Sequence, residues 1–418
     1  MTEKEIITGL DIGSTAIRLV AASRSENPEQ PLHIIGAAAV PAQGINRGVI
    51  SSIEDAVSSI SACLEKTERM IGSEIRDVWV GISGPHIISQ ESRGVIAVAR
   101  SDGEITEDDV ERAVEAARTV ATPPNYEILH VIPKSFTVDG QVGIKDPIGM
   151  SGVRLEVDAQ IIQGLSSQIK NLTKAVYRPG LEINDLVLSI LATSEAVISN
   201  RQKELGAAVI DIGGSTTKVI VFEEGDILHT AVLPVGSDHI TSDIAIGLRI
   251  SIDTAEKIKL EFGCAIADSI GKRDEIDLGE LEGTESNFVS KKYVAEIIQA
   301  RIEEILDKID NELKKIDRSG KLPAGVVLTG GGSKLQGLVD LTKKKLRLPA
   351  TLGKPLGVTS AIDKVNDLSF STAVGLVVWG NQISSRGQSG GIGRLFNKLP
   401  SIKSLTGQAK KLFKKIIP

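Results

Sequence analysis

Two segments of the chain, half a chain length apart, repeat one pattern of strand, glycine-rich turn and strand. The first reads EIITGLDIGST and the second reads GAAVIDIGGST, so that Asp11 aligns with Asp211. In each copy an apolar run ends at the aspartate, and Ser-Thr leads from the glycines into a second apolar run. The repeat predicts two related β-hairpins, and therefore two similar lobes within an α/β protein.

The turns of both hairpins have the composition of a phosphate-binding loop. Glycine lets backbone N–H groups approach phosphate oxygens closely, and serine and threonine hydroxyls add further donors. We expect the two aspartates to lie near a Mg²⁺ ion, which keeps several of its waters in proteins. The residues expected to hold phosphate and metal are Asp11, Gly13, Ser14, Thr15, Asp211, Gly213, Gly214, Ser215 and Thr216.

A third glycine-rich segment, GVVLTGGGSKLQGL at residues 325–338, supports this interpretation. An apolar strand runs into three glycines and then into a helical pattern, and the N-terminus of a helix favours anions. Each of the three segments alone would indicate no more than a tight turn. Together, in this order, they predict a nucleotide site between two lobes. The sequence contains no GxxxxGK[ST] motif, and no GxGxxG motif follows a predicted strand.

Charge is unevenly distributed along the chain, whose formal net charge is −6. Residues 368–418 contain eight lysines and arginines and no aspartate or glutamate, so the preceding part is clearly acidic. An acidic body with a basic tail argues against nucleic-acid binding, which needs a basic face on a folded domain. The N-terminus lacks a secretory pattern, and no apolar run reaches the roughly 18 residues of a membrane span. We therefore expect a cytoplasmic protein with peripheral membrane contact.

The last residues, SLTGQAKKLFKKIIP, have the pattern of a basic amphipathic helix. One helical stripe carries large apolar residues and the lysines lie beside it, as in helices that lie in the membrane interface. Docking of this helix on the protein's own core is the alternative, and the preceding Gly/Ser-rich segment argues against it. The residues expected to contact an anionic membrane are Leu405, Leu412, Phe413, Ile416, Ile417, Lys410, Lys411, Lys414 and Lys415.

These motifs resemble those of the actin and sugar-kinase ATPase superfamily. LDIGST and IDIGGSTTK resemble its two phosphate motifs, and VVLTGGGSKLQGL resembles its adenosine motif. Longer stretches resemble the FtsA family of bacterial cell-division proteins, most specifically HVIPKSFTVDGQVGIKDPIGMSGVRLEV. This resemblance extends from the N-terminus to Gly380.

The resemblance implies an actin-like two-lobed ATPase fold of duplicated ribonuclease-H-like domains. An inserted α+β subdomain and a C-terminal amphipathic helix complete the implied fold. The implied division is subdomain 1A at 1–84, 163–195 and 355–383, inserted subdomain 1C at 85–162, subdomain 2A at 196–228 and 306–354, subdomain 2B at 229–305, a flexible linker at 384–403 and the membrane-targeting helix at 404–418.

The resemblance also implies a function. Proteins of this family bind ATP, polymerise, dock the C-terminal peptide of FtsZ, tether FtsZ filaments to the cytoplasmic face of the inner membrane, and bind other division proteins through the inserted subdomain. Gly236 would line the cleft, and Glu256, Lys259, Gly330, Gly331 and Gly332 would surround the adenosine. Lys291, Lys292 and Arg301 are candidate partners for the acidic FtsZ peptide, although solvated charges on a helix face are an equal alternative.

Two departures from the family pattern concern the phosphate site. The family usually reads Gly-Gly-Gly-Thr-Thr-Asp at the second turn, where this chain reads Gly-Gly-Ser-Thr-Thr-Lys, so Lys218 replaces an acid near the metal. The first turn has Ala16 and Ile17 in place of a lysine directly after its hydroxyls. No general base is evident, so we expect slow ATP hydrolysis at most.

Two other functions remain open on the same fold. A pilus-assembly adaptor resembling PilM would lack the basic amphipathic terminus. A sugar kinase or phosphatase would need a catalytic base and a substrate pocket between the lobes, and the tail would be unexplained.

Overall fold

The structure is a computed structural model that describes residues 6–24, 31–119, 122–283 and 285–386. The predicted amphipathic helix at 404–418, and the linker from residue 387 onwards, lie outside the described residues. The linker was expected to begin at Ser384, but residues 384–386 form the last turn of a helix.

The N-terminal lobe begins with the first of the two repeated hairpins. Helix α1 packs against the sheet through Ala56, Ile60, Cys63 and Leu64, whose spacing of three to four residues places them on one helical face. The first elements of this lobe are β1 (Ile6–Ile12), β2 (Ala16–Ser23), β3 (Leu32–Pro41), β4 (Ile45–Asn46), β5 (Val49–Ile50), α1 (Ile53–Ile71) and β6 (Asp77–Ile82).

A separate four-stranded sheet with one helix follows, in the strand order β7-β10-β8-β9. Thr106 caps the helix through a capping box with Asp109, as the TEDD sequence predicted. The helix buries Val110, Ala113 and Val114 against the sheet. The elements are β7 (Ile87–Ala97), α2 (Glu107–Arg118), β8 (Tyr126–Val138), β9 (Gln141–Ile144) and β10 (Arg154–Leu165).

The chain then returns to the first lobe and crosses to the second. The elements of this stretch are α3 (Ser166–Tyr177), β11 (Glu182–Leu188) and α4 (Ser189–Val197). Strand β11 joins the first sheet beside β6. The apolar run DLVLSIL is divided between two elements, because the strand ends at Leu188 and α4 begins at Ser189. A strand and a helix would both bury these apolar residues, so hydrophobicity alone does not mark the boundary between β11 and α4.

The second lobe contains the second hairpin in a five-stranded sheet ordered β14-β13-β12-β17-β18. Its elements are α5 (Asn200–Leu205), β12 (Ala207–Ile212), β13 (Thr217–Glu223), β14 (Asp226–Leu233), α6 (Ser237–Leu248), α7 (Ile252–Phe262), β15 (Glu275–Asp277), α8 (Leu278–Glu282), β16 (Phe288–Ser290), α9 (Lys291–Lys315), β17 (Gly325–Thr329), α10 (Leu338–Leu346) and β18 (Ala350–Leu352). Short 3-10 turns occupy Ala267–Ser269 and Gly331–Lys334.

The last elements return to the first lobe. Strand β19 (Val358–Ser360) pairs with β3, and 3-10 turns at Asp363–Asn366 and Leu368–Phe370 lead into α11 (Ser371–Arg386). Helices α4 and α11 pack closely because Gly375 has no side chain, and a Cβ there would lie 2.0 Å from the carbonyl oxygen of Ala192. These two helices therefore form one tightly packed pair.

The two lobes have the same sheet topology, which confirms the duplicated fold predicted from the repeat. In the first lobe β1 pairs antiparallel with β2 and parallel with β6, and β2 continues to β3. In the second lobe β12 pairs antiparallel with β13 and parallel with β17, and β13 continues to β14. The repeated turns follow β1 and β12, so equivalent turns lie at equivalent sheet edges.

Candidate functional site

A cavity of about 370 Å³ lies between the lobes and is lined by both repeated turns. The start of α6, one side of α7, the glycines at 330–332 and residues 368–372 complete its walls. The residues predicted from sequence that line this cavity are Asp11, Gly13, Ser14, Thr15, Asp211, Gly213, Gly214, Ser215, Thr216, Lys218, Glu256, Lys259, Gly330, Gly331 and Gly332.

The two turns have the same backbone geometry. The N–H group of Gly13 donates to the carbonyl of Ala16 at 3.2 Å, and the N–H group of Gly213 donates to the carbonyl of Thr216 at 2.9 Å. Each bond closes a tight loop at the end of a strand, with the turn residues between the strands free to face the cavity. The sequence repeat is therefore also a repeat of local structure.

The turns of the two lobes approach each other closely across the cavity. A Cβ atom on Gly214 would lie 2.1 Å from Oγ1 of Thr15 and 2.8 Å from Oδ2 of Asp238. Real Cβ atoms do not reach such distances, so a side chain at this position would have to displace the side chains of Thr15 and Asp238. Loops from separate lobes thus meet at one point, as expected for a ligand held from both sides.

Each repeated aspartate faces a cation on the neighbouring strand. Asp11 pairs in register with Arg18, whose Nη1 lies 3.8 Å from the carboxylate, and Asp211 pairs in register with Lys218, whose Nζ lies 2.8 Å away. Burial tends to lower the pKa of Lys218, but Asp211 and Asp11 outweigh this effect and raise it, so the side chain is an ammonium ion. Burial raises the pKa of Asp11, and Lys218 and Arg18 oppose that rise.

The start of α6 is attached to the second turn through backbone hydrogen bonds. The N–H groups of Ser237 and Asp238 donate to the carbonyls of Gly213 and Gly214 at 2.9 and 2.8 Å. A Cβ atom on Gly236 would lie 2.3 Å from the Gly214 carbonyl oxygen, so this glycine supports the back of the turn and permits close packing there. Gly236 was predicted to line the cleft, but it does not belong to the cavity wall.

Charged side chains of α7 form the opposite wall. Nζ of Lys259 lies 2.6 Å from Glu256 and donates to the Thr241 hydroxyl at 2.8 Å. Lys259 is buried, whereas the side chain of Glu256 is 40% exposed. This arrangement gives the wall a fixed cation with a carboxylate beside it.

The triple glycine lets the backbone pass the floor of the cavity. Gly330 has φ +86°, and a Cβ there would lie 2.2 Å from Oδ1 of Asp211. A Cβ on Gly332 would lie 2.6 Å from the Ile212 side chain, whereas Gly331 has space for one. Two of the three glycines are therefore required by close packing against the second hairpin.

The carboxylates fit a directly coordinated metal ion poorly. Oδ2 of Asp211 already accepts from Lys218 and, at 3.4 Å, from the Thr372 hydroxyl. Among the residues that the structure describes, no group of three or more His, Cys, Asp or Glu side chains could hold a metal ion. Contact between Mg²⁺ and these carboxylates, which we expect to pass through water, stays a prediction.

Several charged or polar residues of the cavity wall were not predicted from the sequence. Arg18 and Lys218 both stand seven residues after their aspartates, so the repeat itself contained the signal for Arg18. Asp238 accepts a hydrogen bond from the Ser215 hydroxyl at 2.9 Å, and no motif pointed to it. Lys334 and Thr372 also line the cavity.

The three residues predicted to bind a partner peptide lie on α9. Nζ of Lys291 is 5.9 Å from the ring centre of Phe262, and Lys292 lies 3.6 Å from Asp268. Arg301 makes two hydrogen bonds to Asp243, at 2.6 and 2.8 Å. The guanidinium of Arg301 therefore joins α9 to α6 within the protein.

Comparisons with known proteins bear on this arrangement. A family model described as "Cell division protein FtsA" matches residues 208–375, and one described as "SHS2 domain inserted in FTSA" matches residues 84–163. Cell division protein FtsA of Pseudomonas aeruginosa is 36% identical over 385 residues, which cover 92% of this chain and 91% of that protein. The chain belongs to the FtsA family of cell division proteins.

Other similar proteins are consistent with this family. FtsA of Bacillus subtilis is 37% identical over 377 residues, covering 90% of this chain and 84% of that protein. A solved PilM–PilN type IV pilus biogenesis complex matches with a TM-score of 0.65 at 19% identity, over 90% of this chain and 98% of that chain. MreB5 of Spiroplasma citri bound to ADP matches with a TM-score of 0.55 at 14% identity, over 92% of this chain and 99% of that chain. These structures support the actin-like fold of this FtsA-family chain.

The structure contains no helix that is both long and apolar enough to cross a membrane, over residues 6–24, 31–119, 122–283 and 285–386.

Proposed function

We propose that this protein binds ATP between its two lobes and tethers FtsZ filaments to the cytoplasmic face of the inner membrane. The single observation that carries the nucleotide part is the contact between the two turns, where Gly214 of one lobe meets Thr15 of the other. A ligand with a chain of phosphates fits such a site because donors from both lobes face one cavity. The ADP named with the MreB5 structure supports the same assignment.

The proposed roles of the site residues follow from their positions. Backbone N–H groups and hydroxyls of the two turns would hold the phosphates, with Arg18 and Lys218 supplying positive charge. The adenosine would lie between α7, which presents Glu256 and Lys259, and the glycines at 330–332. Mg²⁺ would enter as the ion that accompanies ATP in solution, and its link to Asp11 and Asp211 would pass through water.

We expect hydrolysis to be slow at most. Asp11 faces Arg18, Asp211 is bonded to Lys218 and Asp238 accepts from a serine, so the carboxylates beside the turns are already paired. A general base must be held against the attacking water, whereas these carboxylates are held by their partners in the protein. The role that fits is a nucleotide-dependent assembly switch, in which bound ATP favours filaments of this protein.

Tethering would use two surfaces away from the nucleotide. The helical part of the second lobe, near the start of α9, would dock the FtsZ C-terminal peptide, with Lys291 and Lys292 as candidate contacts. The basic tail at 404–418 would lie in the membrane interface, where each lysine near an anionic surface contributes about 1 kcal/mol. Filament formation would strengthen this binding by avidity. The inserted subdomain would contact later division proteins. The boundaries of the subdomains stay a prediction.

One experiment with two parts tests the proposal. ATP binding by the full chain is measured by calorimetry, and the full chain is sedimented with anionic vesicles in the presence of ATP and FtsZ. The full chain is expected to carry FtsZ into the pellet, and a chain ending at Gly387 is expected to leave it in solution. Absence of ATP binding, or equal pelleting by both chains, would contradict the respective part.

A PilM-like adaptor is the second candidate, because the PilM–PilN complex has the higher TM-score of the two solved structures compared above. At 19% identity this likeness concerns the fold alone, whereas FtsA proteins are similar at 36–37% identity. Binding of an FtsZ C-terminal peptide by the full chain would separate the two functions.

A further inference from the structure

The phosphate site contains its own cations at the position where this family expects an acid and a metal. Lys218 takes the place of an aspartate, and its side chain is only 11% exposed. Its Nζ lies 2.8 Å from Asp211, whose side chain is 6% exposed. A buried ammonium in such an ion pair is held in place, because removing either partner would leave an uncompensated buried charge.

The first hairpin repeats the arrangement. Arg18 stands at the same register position relative to Asp11, and its side chain is 17% exposed. Nε of Arg18 is buried without a hydrogen-bond partner, so the guanidinium retains donor capacity next to the cavity. The two hairpins together place two positive charges against two negative charges on the cavity floor. These four side chains carry no net charge, so the cavity floor has no excess of negative charge that a divalent cation would need to neutralise.

We infer that Lys218, together with Arg18, replaces much of the charge compensation that Mg²⁺ gives a bound nucleotide, so that nucleotide binding depends only weakly on Mg²⁺. This inference rests on the nucleotide-binding function proposed above. Without Mg²⁺ the triphosphate carries more negative charge, and a site needs fixed cations to accept it. An acid at position 218 would leave three carboxylates around the phosphates, and such a site needs a metal ion to overcome their repulsion.

The test is equilibrium binding of ATP to the full chain, measured once with excess Mg²⁺ and once with EDTA. The wild-type Kd is expected to change by less than about threefold between the two conditions. The variant Lys218→Asp is expected to bind at least about tenfold more tightly with Mg²⁺ than without it. Lys218→Arg keeps the charge and is expected to behave like the wild type.

Lys203→Met is the matched control, because Lys203 forms a similarly buried ion pair with Glu195 at 2.6 Å but does not line the cavity. Its ratio of the two Kd values is expected to equal that of the wild type. The variant Lys218→Met removes the ammonium without adding an acid, and it serves if Lys218→Asp does not fold, as judged by circular dichroism. Loss of the Lys218 ammonium in this variant is expected to weaken binding in EDTA more than in Mg²⁺.

The outcomes separate this inference from the function on which it rests. Wild-type binding that is lost in EDTA but present with Mg²⁺ overturns the inference and leaves the nucleotide site in place. Equal Mg²⁺ dependence of Lys203→Met and Lys218→Asp also overturns it. Absence of ATP binding under both conditions would instead overturn the nucleotide-binding function itself.

Discussion

Gly214 in the second lobe approaches Thr15 in the first so closely that a Cβ atom would lie 2.1 Å from the threonine hydroxyl. The same Cβ would lie within 2.9 Å of both carboxylate oxygens of Asp238. The contact is made by two loops that are distant in sequence, and it fixes how closely the lobes meet at the phosphate site.

Replacing Gly214 by alanine is therefore expected to separate the two turns. We expect Gly214→Ala to weaken ATP binding by at least about tenfold, because donors of the two lobes can no longer reach one phosphate chain together. Calorimetric titration with ATP measures the effect. Gly331→Ala is the steric comparison, because a Cβ at position 331 would have its nearest neighbour at 3.8 Å. This variant is expected to have the melting temperature of the wild type. Wild-type affinity in Gly214→Ala would contradict the close-contact interpretation.

Arg301 is expected to stabilise the second lobe through its paired hydrogen bonds to Asp243. Both side chains are about three-quarters buried, so we expect Arg301→Ala and Asp243→Ala each to lower the free energy of unfolding by about 1–2 kcal/mol. Urea denaturation measures the free energy of unfolding of each variant. If Arg301 also contacts the FtsZ peptide, only Arg301→Ala should reduce peptide binding. Equal effects of both variants on binding would assign Arg301 a purely structural role.

His130 is expected to make the protein less stable in mildly acidic solution. Burial lowers the pKa of its imidazole from 6.5 to about 4, and Nε2 accepts a hydrogen bond from the Leu188 N–H group at 3.0 Å. The unfolded chain takes up this proton near pH 6.5 and the folded chain does so only near pH 4. The stabilising contribution is therefore complete above pH 6.5 and is lost as the pH falls towards 4.

The corresponding measurement compares the wild type with His130→Gln, whose amide oxygen can accept the same hydrogen bond but does not titrate. Between pH 7 and pH 5 the wild type should lose about 1–2 kcal/mol more of its free energy of unfolding than the variant. Parallel pH profiles for the two proteins would show that His130 is protonated equally in both states.

Phe413 is expected to be a main apolar contact between the tail and the membrane. Phe413→Glu places a charge in the apolar stripe, so co-sedimentation with anionic vesicles should fall to the level of the chain ending at Gly387. Binding by the wild type should also weaken as salt screens the lysines. Phe288→Glu is the matched control, because Phe288 is 60% exposed on the second lobe and lies outside the tail. Retained pelleting of Phe413→Glu would argue against an interfacial helix.

Local sequence determined the two hairpins and their turns. Asp11 and Asp211 are each followed by glycine and hydroxyl residues between two apolar runs, and such short-range patterns specify a turn without help from the rest of the chain. The order of the three glycine-rich segments was enough to indicate the duplicated fold.

Only the tertiary structure decided which side chains face one another across strands and between lobes. Arg18 was missed because its pairing with Asp11 depends on strand register, and Gly236 was misplaced because its role depends on how α6 packs behind a turn. Sequence offered Arg301 as a candidate partner contact or as a solvated charge, and the structure adds that its hydrogen bonds join α9 to α6. These relationships connect residues far apart in the chain, so they follow from packing and register, which local sequence patterns do not encode.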